Sequence, residues 1–168
     1  MRFLLGFTLI LASVAVAQPI TAKNWQNHPA ILEVRRIYIE TNALITAKKL
    51  KLETKKFGYC PLWDLERKKY SDMRGVVRRY VKAGGSEDSA VTLEHTYDSS
   101  GRLRFVLVTA GAVNDTHEEW RFYFSVSGQR LWVDRRQTGP GYTFFEDDFV
   151  KEFVLEPKKA FVAASPCR

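Results

Sequence analysis

The chain is poor in the residues that most catalytic and metal-binding proteins need. Its 168 residues hold two cysteines, three histidines and two methionines. No HExxH, CxxC or other metal-ligand spacing occurs, and there is no GxSxG and no phosphate-cradling glycine loop. The usual signatures of zinc, dithiol, serine-hydrolase and nucleotide chemistry are therefore missing. No cofactor and no metal is expected, and a non-catalytic role is favoured. Neither cysteine suits nucleophilic catalysis: no histidine stands near either in sequence, Cys60 precedes Pro61, and Cys167 is next to last. No long apolar run follows residue 17, so no stable membrane span is expected once the first segment is removed.

That first segment has three parts. Met1-Arg2 is a short positive start, Phe3 to Val14 is almost wholly apolar, and Ala15-Val16-Ala17 is a small-x-small cleavage site. This is the pattern of a secretory signal peptide. No cysteine follows the site, so a lipoprotein anchor is not indicated. The expected organisation is a signal peptide over 1–17 and a single exported α+β domain over 18–168, periplasmic or secreted. In an oxidising compartment Cys60 and Cys167 read as a disulfide that ties the C-terminus to the segment after the first helix.

Charge is unevenly spread. Without Arg2 the chain keeps 25 basic and 19 acidic residues, a net charge of about +6. Residues 18–56 hold eight basic against three acidic residues, whereas 91–168 hold ten against eleven. The run "AKKLKLETKK" could meet an anionic lipid or polymer, or be a solvated helix face. It has no interleaved stacking aromatics, and export argues against a nucleic-acid partner.

Periodicity divides the chain. Residues 29–52 read as one long helix. Pro29 suits its first position, and Ile31, Val34, Tyr38, Leu44 and Ile45 form an apolar stripe. Residues 57–74 read as a connection with one helical turn. From residue 75 the period becomes two, with strands expected at 75–82, 90–97, 102–110, and in the two arms of "WRFYFSVSGQRLWVDRR". A two-residue loop at Ser127-Gly128 would set Tyr123 opposite Trp132, Arg121 opposite Asp134, Phe122 opposite Val133 and Phe124 opposite Leu131. A three-residue loop at Ser99–Gly101 would set Tyr97 opposite Leu103 and His95 opposite Phe105. The C-terminal segment, interrupted by Pro157, reads as an irregular strand or short helix over a sheet edge.

The expected fold class is α+β, with the long N-terminal helix packed on a curved antiparallel meander of four to six strands. Over 29–136 this order of elements is similar to the cystatin-like or NTF2-like arrangement. No family motif accompanies the likeness, and a shared shape does not transfer a function.

Two clusters invite a chemical reading. "FEDDF" (145–149) lacks the alternating spacing of a calcium loop and suits a solvated turn or a partner for basic residues. The strand face away from Phe122 and Phe124 carries Arg104, Arg121, Tyr123, Arg130 and Trp132, with Val106 and Val108 beside them. Left open, it would be a cationic aromatic patch for an envelope protein or an anionic glycan. Covered, it would be a second small core with an internal ion pair. The expected function is an exported binding or accessory protein. The alternatives are a small-ligand pocket or hydrolase between helix and sheet, and a basic module docking on anionic lipid or polymer.

Overall fold

In the computed structural model residues 18–58, 65–113, 115–141 and 144–164 are described. The fold is α+β, built on one seven-stranded antiparallel sheet in which sequential strands are neighbours throughout. The strands are β1 (Lys51–Lys56), β2 (Glu66–Ser71), β3 (Val77–Gly85), β4 (Ser89–Tyr97), β5 (Leu103–Ala112), β6 (His117–Phe124) and β7 (Arg130–Thr138). A 3-10 turn (Trp25–Asn27) leads into α1 (Pro29–Thr46), and α2 (Glu146–Val150) and α3 (Pro157–Val162) follow the sheet. The signal-peptide segment 1–17 and both cysteines of the expected bridge, Cys60 and Cys167, lie outside the described residues. Among the described residues no helix is long and apolar enough to cross a membrane.

The helix expected over 29–52 stops at Thr46, and the strands number seven rather than four to six. Its start has a clear cause: Pro29 occupies the first helical position, where its missing N–H costs nothing, and His28 Nδ1 accepts from the Ala30 N–H at 3.2 Å. Its end is a Schellman motif without glycine. Lys48 sits at φ 55° and donates to Ile45 O, while Lys49 N–H donates to Leu44 O, each at 2.9 Å. The lysine run that follows is strand, not helix. The expected connection over 57–74 likewise contains β2.

Two bulges decide which side chain meets which layer. The Tyr97–Leu103 pair forms as expected, but the register then shifts, and Thr96, not His95, opposes Phe105. Arg104 is the extra residue. Because strand side chains alternate faces, one added residue sends every later side chain of β5 to the other face. Val106 and Val108 therefore join Leu93, His95, Trp120 and Phe122 in a core, instead of lying beside Tyr123. In the last hairpin Arg121–Asp134, Phe122–Val133 and Tyr123–Trp132 pair as expected. Phe124 opposes Arg130 rather than Leu131, because the loop has three residues, closed by Ser125 and Gln129, with Gly128 at φ 83°.

The sheet is covered on both faces, in the reverse of the expected sense. Phe122 and Phe124 face the C-terminal segment, where Phe149 is fully buried and Phe153 packs edge-on to Phe122 at 4.9 Å. The helix α1 covers the opposite face. Ile31, Val34 and Tyr38 meet Phe105 and Tyr123, and Trp25 stacks on Trp132 at 5.7 Å. Buried arginines fasten the helix. Arg104 reaches Glu33 at 3.2 Å and Asp98 at 3.7 Å, Arg78 reaches Glu40 at 3.3 Å, and Arg79 reaches Asn42 at 2.8 Å as well as Glu94.

Candidate functional site

Of the five residues expected to form one binding face, Arg104, Arg121, Tyr123 and Trp132 lie on the face that α1 covers, and the bulge at Leu131 sends Arg130 to the other. Arg104 is 2 % exposed and is spent on Glu33, Asp98 and the Phe124 carbonyl. Tyr123 is 2 % exposed beneath α1, and Trp132 is half-buried against Trp25. Arg121 bridges Glu119 and Asp134. Arg130 belongs to the other side, where it pairs with Glu146 of the acidic cluster in α2. Only Arg121 and Tyr123 meet in one depression, a groove of about 370 Å³ beside α1 that also takes in Arg35, Tyr38, Phe105 and Arg136. Its guanidinium groups already have partners: Arg35 donates to Gln26 O at 2.8 Å, and Arg136 lies 3.5 Å from Asp134.

His95, expected beside Phe105, is instead fully buried under the C-terminal segment, between Tyr80 and Phe153. Burial pushes its pKa down to about 4. The backbone groups of Tyr80 and Glu152 oppose that shift without completing a hydrogen bond to either ring nitrogen, and Lys82 and Arg79 add repulsion. This is a neutral core histidine. Among the described residues no three His, Cys, Asp or Glu side chains are grouped to hold a metal ion.

The opposite edge of the sheet is built differently. Strands β1 and β2 pair Lys51 with Ser71, Glu53 with Lys69 and Lys55 with Arg67. Alternation puts these side chains on the face where α3 packs. There Lys55 and Lys69 lie over the Phe161 ring at 5.4 and 4.6 Å. Arg67 is 6 % exposed and caps the end of α3, donating to the carbonyls of Ala160 and Ala163 at 2.8 Å each. That clamp brings Lys158 beside the turn between β2 and β3. The result is an open cleft of about 440 Å³ lined by Lys49, Lys51, Lys69 and Lys158, with Glu53 and Asp72.

The two carboxylates are already engaged. The hydrogen bond from Lys69, at 2.9 Å, holds Glu53 below the usual carboxylate range, with help from Lys51 at 3.6 Å. Burial acts against ionising Asp72. The Val76 and Arg74 N–H groups, each 2.9 Å from Asp72 Oδ1, outweigh it together with the Arg74 guanidinium, and the pKa falls. Lys49 and Lys158 have no ion-pair partner among the described residues.

Counting the chain by place shows how far this edge departs from the rest. The segments that converge here are 47–58, 65–75 and 156–159. They carry eleven Lys and Arg against four Asp and Glu. The other described residues carry thirteen Lys and Arg against fourteen Asp and Glu. Among the described residues the positive excess therefore sits on this edge. Sequence reading found the lysine run but placed it on a helix, and it had no signal that α3 would add Lys158 and Lys159.

No protein-family model matches the chain, no curated protein matches it, and no solved structure matches it.

Proposed function

We propose that this is an exported, non-catalytic binding protein that docks through its lysine edge on an anionic surface of the envelope. One observation carries the reading: the three segments meeting at β1, β2 and α3 hold the whole positive excess of the described residues, while the rest of those residues are close to balance. A patch of this kind attracts polyanions over a Debye length and loses hold as salt screens it. The arginines elsewhere are mostly tied to carboxylates or to backbone carbonyls, so they offer little to an outside anion. Export follows from the segment 1–17, and a Cys60–Cys167 bridge would suit the same compartment; thiol labelling of the exported protein under native conditions decides the bridge.

The test is binding to immobilised heparin, used as a generic polyanion, across a salt series. Wild type is expected to elute late and to lose affinity steeply with salt. Lys49→Glu with Lys158→Glu is expected to elute early at unchanged thermal stability. Equal elution of the two proteins would refute the reading.

The groove beside α1 supports a second reading, a pocket for a small acidic aromatic molecule, because Tyr38, Phe105 and Tyr123 there lie next to Arg121 and Arg136. It ranks second because Glu119 and Asp134 already neutralise those guanidinium groups.

A further inference from the structure

Met73 is 102 % exposed, the most exposed large apolar side chain among the described residues. It is not on a loose tip. The turn that carries it is closed by Gly75 N–H donating to Asp72 O and Asp72 N–H donating to Val76 O, each at 2.9 Å. Gly75 takes φ 74°, and Asp72 Oδ1 accepts from Arg74 and Val76 N–H. A built turn thus holds an unbranched, flexible, apolar side chain out into solvent. It does so at the rim of the cleft formed by Lys49, Lys51, Lys69 and Lys158, with Arg74 as its neighbour in sequence.

An apolar projection ringed by ammonium groups matches a phospholipid interface. The cations meet headgroup phosphates, and the apolar chain passes between them to the acyl boundary. An anionic glycan needs only the cations and has no use for an apolar side chain held out above them, which is what Met73 supplies. Leu155, 72 % exposed, lies just before the α3 that supplies Lys158 and adds a further apolar group to this part of the chain.

We propose that the anionic surface is a phospholipid bilayer, with Met73 entering the interface and the lysine cleft at its foot seating headgroup phosphates. The proposal rests on the lysine-edge reading and goes beyond it in naming lipid as the partner and Met73 as the inserting residue.

Flotation with vesicles tests it, using the chain from Gln18 onward, vesicles of phosphatidylcholine with or without phosphatidylglycerol, and heparin binding as a parallel readout. Wild type is expected to float only with phosphatidylglycerol vesicles. Met73→Ser should bind them about tenfold more weakly, the loss of one buried apolar side chain, while its heparin binding is unchanged. Lys49→Glu with Lys158→Glu should weaken both readouts by at least about a hundredfold in low salt. Met73 is solvent-exposed, so its substitution leaves the fold intact. Vesicle binding that is indifferent to Met73→Ser overturns the insertion. Heparin binding without vesicle binding overturns the lipid assignment and leaves the lysine edge standing. Loss of neither readout in the double lysine variant overturns both.

Discussion

At β6 and β7 the sheet is sandwiched. Phe122 and Phe124 lie under the C-terminal segment on one face, and Tyr123 and Trp132 lie under α1 and Trp25 on the other. Charge there is consumed internally: Glu118, whose side chain is fully buried, accepts from Trp120 Nε1 at 2.8 Å, the Phe144 N–H at 3.0 Å and Arg135 at 3.1 Å. At β1 and β2 the proportions reverse. Strand β1 has no buried residue, and its Lys51 joins Lys49, Lys69 and Lys158 around a cleft whose few carboxylates are already engaged. The same backbone ladder thus supports two chemistries. One end holds the fold together, and the other leaves cations free. Lysine on an open edge also discourages pairing with another sheet, so the charge has a structural benefit as well as a docking one.

The comparison breaks most visibly at the core. Phe122→Ala removes a fully buried ring from the sandwiched end and is expected to cost about 3–5 kcal/mol, read as a fall in the urea midpoint. Arg104→Ala strips Asp98 of one buried partner and cuts the link to Glu33. About 3 kcal/mol is expected, and a loss near zero would show that the Arg104 link does not help to hold α1.

Acid should separate the two ends. His95 is neutral in the fold with a pKa near 4, while the unfolded chain takes up its proton near 6.5. The unfolded state therefore binds more protons in that window. The stability due to this histidine is full above about pH 6.5, falls as the pH drops, and levels off near pH 4, for a total of about 3 kcal/mol. His95→Gln should flatten that slope in denaturant titrations between pH 6.5 and 4. The smallest effect belongs to the lysine edge: Lys49→Glu with Lys158→Glu should change stability by no more than about 0.5 kcal/mol while removing polyanion binding.

Much of the sandwiched end was legible beforehand. Alternation in "EWRFYFSV" placed Phe122 in a core, and turn chemistry at Gly101 and Gly128 located both hairpins. What could not be read has physical causes. The bulges at Arg104 and Leu131 add a residue without any compositional mark, yet one of them reassigns Val106 and Val108 to the opposite layer. The helix ends on a left-handed lysine, so the usual glycine stop was missing. Strands β1 and β2, "KLETKK" and "ERKKYS", bury too little to alternate in hydropathy and were passed over as helix end and connection. For the candidate site the lysine run was visible. Its folding into an edge strand depends on pairing with β2, and the Arg67 clamp that adds α3 depends on contacts more than ninety residues apart in sequence.

The central claim is that position, not net charge, makes the lysine edge a docking surface. Two double variants lower the net charge equally, Lys49→Glu with Lys158→Glu at one end and Arg130→Glu with Arg136→Glu at the other. Their elution from immobilised heparin, compared at several salt concentrations, tests the claim most directly. The account predicts that the lysine pair abolishes retention and the arginine pair leaves most of it; equal losses from the two would contradict it.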